Sequence, residues 1–530
     1  MNQTPEGTSE TPPRAPAKFF TWRSLLFAVA CFATLIALAY AEENWRGRRA
    51  WQAHCRQWEA KGEKLALAAV IPPPVPDDKN FALAPLLKPL LDLKQGPTGV
   101  VWRDTNGLER FGRFSALLIP KDGSKEALAL GSLEKGTFAD VASWAERYRR
   151  DTNSPAAGTG GSPAEAVLCA LRQLDPDFSE LREAAVSRPY SRFPVQYEAE
   201  PPFGVLLPHL GRLKPMATLL QVRATAELAG GLPMDAYQDV KLGLRISDSI
   251  RDEPIIISHL VRAATLGSVL QTVREGLRRH AWTDAQLAEL QGSLASVNLL
   301  AEYKVAMRGE RAGTVAELDY LRRHGNWGLD VEEFFSKGIT SCERVLRFGP
   351  SGWIYQNMLT VSRICQEFTL PAVDEQAHRV SPEIAARAKR MLQASHGPYT
   401  LFSRLFQPSL EKVIQRSARM QSFVDAARVA CALERYRLAN NDLPDTLAAL
   451  TPRFLERVPT DVIDGQSLRW RRVPAGGYVI YSVGWNQTDD GGAPGWNPAD
   501  DSGIFGLLKE KHGAWVDPAK GDWAWVMPAD

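Results

Sequence analysis

An uncharged run near the N-terminus constrains this chain more than any other feature. Residues 24–41 form a stretch of 18 residues without a charge, just long enough for a helix to span a bilayer. Aromatic residues flank the run at positions 19, 20, 22 and 45, as is typical of side chains at a membrane interface. The sequence therefore predicts a transmembrane helix over 24–41, preceded by a disordered tail over 1–23 that is rich in Pro, Thr, Ser and Glu.

The same run has two other interpretations, and both stay open on the sequence. Ala39-Tyr40-Ala41 fits the small-x-small pattern of a signal-peptide cleavage site, and Glu42 follows it. A buried helix of a soluble protein is the second alternative. Basic residues lie on both sides of the run, and long downstream domains translocate largely regardless of such charges. We expect a single-pass anchor in the cytoplasmic (inner) membrane of a bacterium, with a cytoplasmic tail and the bulk of the chain extracytoplasmic.

Composition and charge exclude several classes of partner and site. Hydrophobic residues make up 45% of the chain and the net charge is only +2, so a full core is expected and no strongly basic surface is indicated. We therefore predict no nucleic-acid partner. The six cysteines are scattered and form no Cys-x-x-Cys pair, which fits neither a disulfide framework nor a zinc site. The predicted partners are the lipid bilayer, through the N-terminal helix, and proteins of the cell envelope.

The rest of the chain divides by composition and periodicity. Residues 42–95 are predicted to hold a polar juxtamembrane helix over 42–70 and a Pro-rich linker. A small mixed region and loop is predicted over 96–162, with short strands or loops over 99–124 and helical periodicity over 136–151. Residues 163–410 repeat apolar side chains three and four positions apart, which predicts a helical domain; Gly230-Gly231 joins two of its helices. Because no repeat has a constant period, an irregular bundle is expected, with a solenoid-like array as the alternative.

The C-terminal region changes character after a long amphipathic helix. That helix is predicted from about Ser409 to Asn440, and Asn440-Asn441 is typical of a left-handed cap. Two runs, "QSLRWRRV" and "GYVIYSVG", then predict an antiparallel hairpin. The expected fold class is therefore mainly α, with one N-terminal transmembrane helix and a small C-terminal α+β domain.

The order of motifs in this region resembles the C-terminal domain of type II secretion pseudopilins of the major, G-type class. The motifs are Tyr-x-x-x-Asn at 436–440, Leu-Pro-x-Thr-Leu-x-x-Leu at 443–450, Val-Pro-x-Asp at 458–461, Asp-Gly-x-x-Leu at 464–468, Tyr-x-x-Tyr-Ser-x-Gly at 478–484, and an Asp/Gly loop at 489–492. The resemblance covers residues 411–530 and implies a pilin-like domain associated with a secretion or pilus-like system. About 370 residues separate it from the apolar run, and the peptidase motif and Glu of pilins are absent, so polymerisation is not expected.

The resemblance also implies a calcium ion in the acidic loop. Asp489, Asp490 and Asp522 are the candidate ligands, and Asp500 and Asp501 are further carboxylates of the same region. Carboxylate oxygens are the ligands that calcium prefers, although no EF-hand spacing is present. A solvated acidic loop with Asx turns is the alternative interpretation.

Motifs for catalysis are weak in this sequence. The eight histidines show no zinc spacing, and Ser-x-x-Lys at 132–135 and 409–412 lacks its usual partner motifs. His259, in the apolar segment "IIISHLVR", is expected to be a core histidine. No catalytic or cofactor-binding residue is assigned. The sequence favours a membrane-anchored envelope scaffold or interaction protein; the alternative is an envelope hydrolase acting on glycans or peptides, with its site in the helical domain.

Overall fold

The chain is mostly helical in its computed structural model. The structure describes residues 22–96, 99–118, 128–151, 154–156, 160–324, 349–394, 397–473, 476–497 and 515–528. Most of the predicted tail over 1–23, and the candidate ligands Asp500 and Asp501, lie outside these residues.

Fourteen α-helices are present in the described part of the chain, in the following order. They are α1 (Trp22–Glu59), α2 (Leu67–Val70), α3 (Thr105–Leu118), α4 (Val141–Arg150), α5 (Pro163–Leu171), α6 (Asp175–Ser187), α7 (Leu210–Ala229), α8 (Pro233–Asp248), α9 (Ile256–Arg278), α10 (Asp284–Ala295), α11 (Leu299–His324), α12 (Ser351–Ile364), α13 (Pro382–Ala394) and α14 (Leu401–Asn440). The predicted break at Gly230-Gly231 is confirmed, because Gly231 has a left-handed φ of 75° between α7 and α8.

The strands form small antiparallel sheets. β1 (Leu93–Gly96) pairs with β2 (Gly99–Trp102), and β3 (Val373–Asp374) pairs with β4 (Arg379–Val380). β5 (Arg469–Arg472), β6 (Tyr478–Ser482) and β9 (Trp523–Met527) form a sheet in the order β5-β6-β9, while β7 (Pro494–Asn497) pairs with β8 (Trp515–Gly521). The predicted C-terminal hairpin is confirmed by the register that places Arg469 opposite Tyr481.

Three element boundaries differ from the sequence prediction. Residues 105–118 form a helix instead of strands or loops, because Phe111 and Phe114, one turn apart, both pack into the core. The juxtamembrane helix ends at Glu59 and is followed by Gly62, whose φ of 84° is incompatible with a continuing right-handed helix. The long C-terminal helix begins at Leu401, before the predicted start at Ser409.

Helix α14 connects the helical region to the C-terminal sheet. Along its length it packs against α9, α10 and α13, and then against β6 and β9. Val424, Ala427 and Cys431 share one hydrophobic core with Leu290 of α10 and with Trp525 of β9. Helix α14 ends at Asn440, and the φ of 57° at Asn441 confirms the predicted left-handed cap. The C-terminal region is thus an α+β unit built on a helix that it shares with the rest of the protein, and the predicted boundary at 410–411 lies inside that helix.

Candidate functional site at the membrane junction and the acidic loop

Helix α1 exposes an apolar surface along its first half. Its most apolar 18-residue window has a mean hydropathy of 2.2, and none of that window is buried inside the protein. Large apolar side chains that are more than half exposed include Leu26, Phe27, Phe32, Leu35 and Leu38. Water is a poor environment for such a contiguous surface, whereas the hydrocarbon of a bilayer is a favourable one. Helix α1 is therefore a candidate membrane anchor.

The second half of α1 packs against the body, which we define as the described residues after α1. Its main partner is α12, and the two backbones are in direct contact where Gly47 faces Gly352. A Cβ atom on Gly47 would lie 2.5 Å from the carbonyl oxygen of Gly352, and one on Gly352 would collide with the carbonyl oxygen of Glu43. Because neither residue has a Cβ, the helices approach more closely than ordinary side chains permit.

Two polar contacts fix the register of this helix pair. The Gly352 N–H at the start of α12 donates to Asn44 Oδ1 at 2.7 Å, so α1 supplies a cap for a helix end whose own N-cap residue is Pro350. Further along, His54 Nε2 lies 2.9 Å from Ser362 Oγ. Since 308 residues separate the partners in both pairs, the two helices run parallel and in register. Burial between the helices lowers the pKa of His54 to about 4, so the imidazole is neutral at physiological pH.

An ion pair just beyond the end of α1 attaches the chain to α11. Arg308 on α11 donates to both carboxylate oxygens of Glu63, with distances of 3.0 and 3.2 Å, and Arg311 donates to the carbonyl oxygen of Lys64. Burial alone would raise the pKa of Glu63, but Arg308, Gln366 and Arg311 together outweigh that effect and the pKa is lowered. The glycine contact and this ion pair lie at opposite ends of the packed half of α1. Helix α1 and the body are therefore connected at both ends of the packed half.

The acidic loop between β6 and β7 brings the three candidate calcium ligands close together. Consecutive left-handed glycines, Gly491 and Gly492 with φ of 69° and 83°, shape the loop around the side chain of Asp522. The Gly492 N–H donates to Asp522 Oδ2 at 2.6 Å. Burial, reinforced by the nearby carboxylates of Asp490 and Asp489, raises the pKa of Asp522 to about 6.

The two other candidate ligands are engaged by neighbouring side chains. Asp489 Oδ2 accepts from Arg469 Nε at 3.0 Å, and Asp490 Oδ2 accepts from Asn486 Nδ2 at 2.9 Å. Asp522 is different, because its side chain is 1% exposed and Oδ1 has no hydrogen-bond partner among the described residues. That oxygen fits a cation, although among the described residues no group of three or more such side chains is already arranged around a metal position. Calcium binding here would require Asp489 or Asp490 to change partners.

Three titratable side chains at the centre of the helical region, Arg262, Glu302 and His259, are buried and bonded to protein groups. Arg262 of α9 binds both carboxylate oxygens of Glu302, at 2.5 and 2.9 Å, and also Asp248 at 2.7 Å. His259 is also buried, as expected of a core histidine; its Nε2 lies 2.7 Å from Ser417 Oγ, which itself donates to a backbone carbonyl. Burial lowers the pKa of His259 to about 3. These groups stabilise helix packing, and their buried side chains are inaccessible to a substrate.

The sequence prediction included the anchor and the acidic loop, but it missed the junction between α1 and α12. Two glycines could have indicated this contact: Gly47 lies inside a helical run, and Gly352 lies near a helix start. A helical glycine costs stability unless a close contact requires it, and only the fold shows which two glycines meet.

The five cysteines of the described residues are free thiols; Cys342 lies outside them.

Comparison with known proteins gives no relative from which a function could be transferred. No family model matches the chain, and neither a curated protein nor a solved structure is significantly similar to it.

Proposed function

We propose that this protein is a membrane-anchored scaffold of the bacterial cell envelope, with its bulk on the extracytoplasmic side of the cytoplasmic membrane. The main observation behind the proposal is that α1 is one continuous helix. Its first half exposes an apolar surface, and its second half packs against α12. An anchor of this kind fixes the distance and the orientation of the body relative to the bilayer. Fixed placement is what a scaffold needs in order to present a binding surface to other envelope proteins.

The C-terminal unit is the proposed site of protein interaction. The proposal rests on the motifs of residues 411–530 and on a long helix packed on a three-stranded antiparallel sheet. On this proposal the unit is a pilin-like domain that associates with a secretion or pilus-like system. Trp496 on β7 is 49% exposed and offers a large apolar contact for such a partner.

The alternative function, an envelope hydrolase, requires titratable groups that are open to substrate. Within the described part of the helical region, Arg262, Glu302 and His259 are buried and bonded to protein groups instead. Buried pairs of this kind are explained by folding and packing, so these three groups do not support the hydrolase.

Calcium is part of the proposal for the C-terminal unit. Asp489, Asp490 and Asp522 would supply carboxylate oxygens, and Asp522 Oδ1 is the oxygen that lacks a protein partner. The ion would offset two of the three negative charges of these carboxylates and would cross-link the β6–β7 loop to the β8–β9 turn. The test is thermal unfolding of the detergent-purified full chain with calcium titrated to millimolar concentration. Calcium should raise the melting temperature of the native protein and of the control Asp442→Asn, but not of Asp522→Asn; an equal rise in Asp522→Asn would exclude this site.

Topology and partnership are tested in cells. Alkaline phosphatase fused after residue 530 should be active, since that enzyme matures only outside the cytoplasm, and the fusion should resist alkaline extraction from membranes. A photo-cross-linking residue at position 496 should give one defined adduct with a secretion or pilus component, whereas the same residue at Val186, which is 88% exposed, should not. Inactive phosphatase, or identical adducts at both positions, would overturn the proposal.

A further inference from the structure

The body meets α1 immediately after the apolar segment ends. Glu43 and Asn44, which contact Gly352, follow Ala41 by two and three residues. At a rise of about 1.5 Å per residue, these contacts lie about 3–5 Å beyond the end of the segment. The headgroup layer of a bilayer extends about 5–7 Å beyond the hydrocarbon on each side. If α1 spans the bilayer as proposed, the first turn of α12 therefore lies at headgroup depth.

A second part of the body reaches the same level through Tyr399. Its hydroxyl accepts from Arg46 at 2.7 Å, and Arg46 also binds Glu43 at 2.5 Å. The nearby carboxylate of Glu43 raises the pKa of the Tyr399 hydroxyl. The turn that carries Tyr399 is itself fixed to α12, since Asn357 Nδ2 donates to the carbonyl oxygen of Pro398 at 2.6 Å. The turn over 397–400 is thus held beside the membrane end of the helix pair.

The exposed side chains at this level have the chemistry of a lipid interface. Trp45 is 60% exposed, and the Arg49 guanidinium lies 5.2 Å from the centre of its ring. Side chains on a helix lean toward its N-terminus, which is the membrane end of α1, so Arg49 extends toward the headgroups. Tryptophan and tyrosine are enriched at membrane interfaces, and guanidinium groups bind phosphate through several hydrogen bonds.

We infer that a membrane-proximal surface, defined as Trp45, Arg49, Tyr399 and the first turn of α12, binds the headgroups of anionic phospholipids and seats the body directly on the bilayer. The inference rests on the proposed function, because it takes α1 as a membrane span. Continuity with the exposed apolar half of α1 places lipid at this surface, and the positive charge of Arg49 selects anionic headgroups. The packed α1–α12 pair keeps the body from swinging away from the membrane.

The test uses the full chain in nanodiscs that contain phosphatidylglycerol and phosphatidylcholine. A benzophenone amino acid replaces one residue at a time: Phe27 in the apolar segment, Tyr399 on the body, or Val186 as an exposed control outside the surface. After irradiation, mass spectrometry of proteolytic peptides identifies phospholipid adducts. We expect adducts at positions 27 and 399 and none at 186.

The outcomes separate this inference from the proposal on which it rests. Adducts at 27 without adducts at 399 would leave α1 in the membrane and overturn the seating of the body. Absence of adducts at 27 would overturn the membrane anchor and the inference together. Equal adducts at 399 and 186 would mean that the protein touches lipid without a defined orientation, and would also overturn the inference.

A charge variant tests the choice of lipid. Native mass spectrometry of the detergent-purified full chain compares retained phosphatidylglycerol with retained phosphatidylcholine. Arg49→Ala should reduce retention of phosphatidylglycerol about fivefold, the effect expected of one cationic side chain near an anionic surface. Arg457→Ala, an exposed arginine of the C-terminal unit, should leave retention unchanged. An equal effect of both variants, or of neither, would overturn the assignment of Arg49 to anionic headgroups.

Discussion

Helices α1 and α9 both have the length and composition of a membrane span, yet protein covers only one of them. The most apolar window of α1 has a mean hydropathy of 2.2 and is entirely unburied, whereas that of α9 has a mean hydropathy of 1.2 and is 67% buried. The difference shows that apolar character alone does not decide whether a helix lies in lipid or in the protein core. What decides is how the polar groups of the helix are satisfied.

The polar groups of the two helices are satisfied in different ways. In the apolar half of α1, the Thr34 hydroxyl donates to the carbonyl oxygen of Ala30 at 2.8 Å, so the helix satisfies it without a neighbour. In α9, Arg262 depends on Glu302 of α11, and His259 on Ser417 of α14. A helix like α9 would carry unpaired polar groups into lipid, where each costs several kcal/mol. The surrounding helices make α9 a core helix.

The largest expected effect comes from breaking the buried ion pair of α9. Glu302→Ala leaves the Arg262 guanidinium buried and short of its main partner, so unfolding free energy should fall by about 4 kcal/mol. Denaturant titration of the full chain in detergent measures this loss. Glu183→Ala, at an exposed position of α6, is the control and should change stability little. Arg262→Met/Glu302→Leu should recover most of the loss; a double variant as unstable as Glu302→Ala would show that the pair has another role.

An arginine placed in each helix should have opposite consequences. Leu35→Arg in α1 introduces a charge into the proposed hydrocarbon layer at a cost of about 3 kcal/mol, and should reduce membrane retention in alkaline extraction while the body melts as before. Leu266→Arg in α9, at a position with no exposure, should unfold the body and leave the anchor intact. If Leu35→Arg also lowered the melting temperature of the body, α1 would be a core helix like α9.

The junction of α1 with the body should be sensitive to one methyl group. Gly352→Ala adds a Cβ that collides with the backbone of Glu43, so the helix pair should separate locally at a cost of about 2 kcal/mol. Limited proteolysis between α1 and α2 and thermal unfolding measure this effect. Gly313→Ala in α11 adds a Cβ with no atom within 4 Å and should be neutral or slightly stabilising. Equal behaviour of the two variants would argue against close backbone packing.

Acidification should give the smallest effect, and it should involve both helices. The pKa of His54 is lowered to about 4 and that of His259 to about 3, against an ordinary value of 6.5. The unfolded chain therefore takes up protons that the folded protein does not as the pH falls below 6.5, so stability declines. Each histidine should contribute about 0.7 kcal/mol of the loss between pH 7 and pH 6. His54→Gln and His259→Gln should each flatten the pH profile; an unchanged slope would mean that the histidine is protonated in the fold.

Local patterns predicted much of the secondary structure but little of how helices combine. The Gly230-Gly231 break, the cap at Asn441 and the hairpin around Tyr481 depend on a few neighbouring residues, and all three are confirmed. Helix α3 was missed because its apolar residues meet their partner, Phe178, far along the chain. The acidic loop was found by motif, yet the pairing of Asp489 with Arg469 depends on how the loop folds against β5.

The sequence by itself determined the apolar segment over 24–41, the helical character of most of the chain and the positions of the turns. These follow from side-chain polarity, helical periodicity and backbone preferences, which act within a few residues. The tertiary structure alone decided that α9 is buried while the first half of α1 is not, and that Gly47 meets Gly352. Such contacts depend on partners hundreds of residues apart, and only packing in three dimensions selects them.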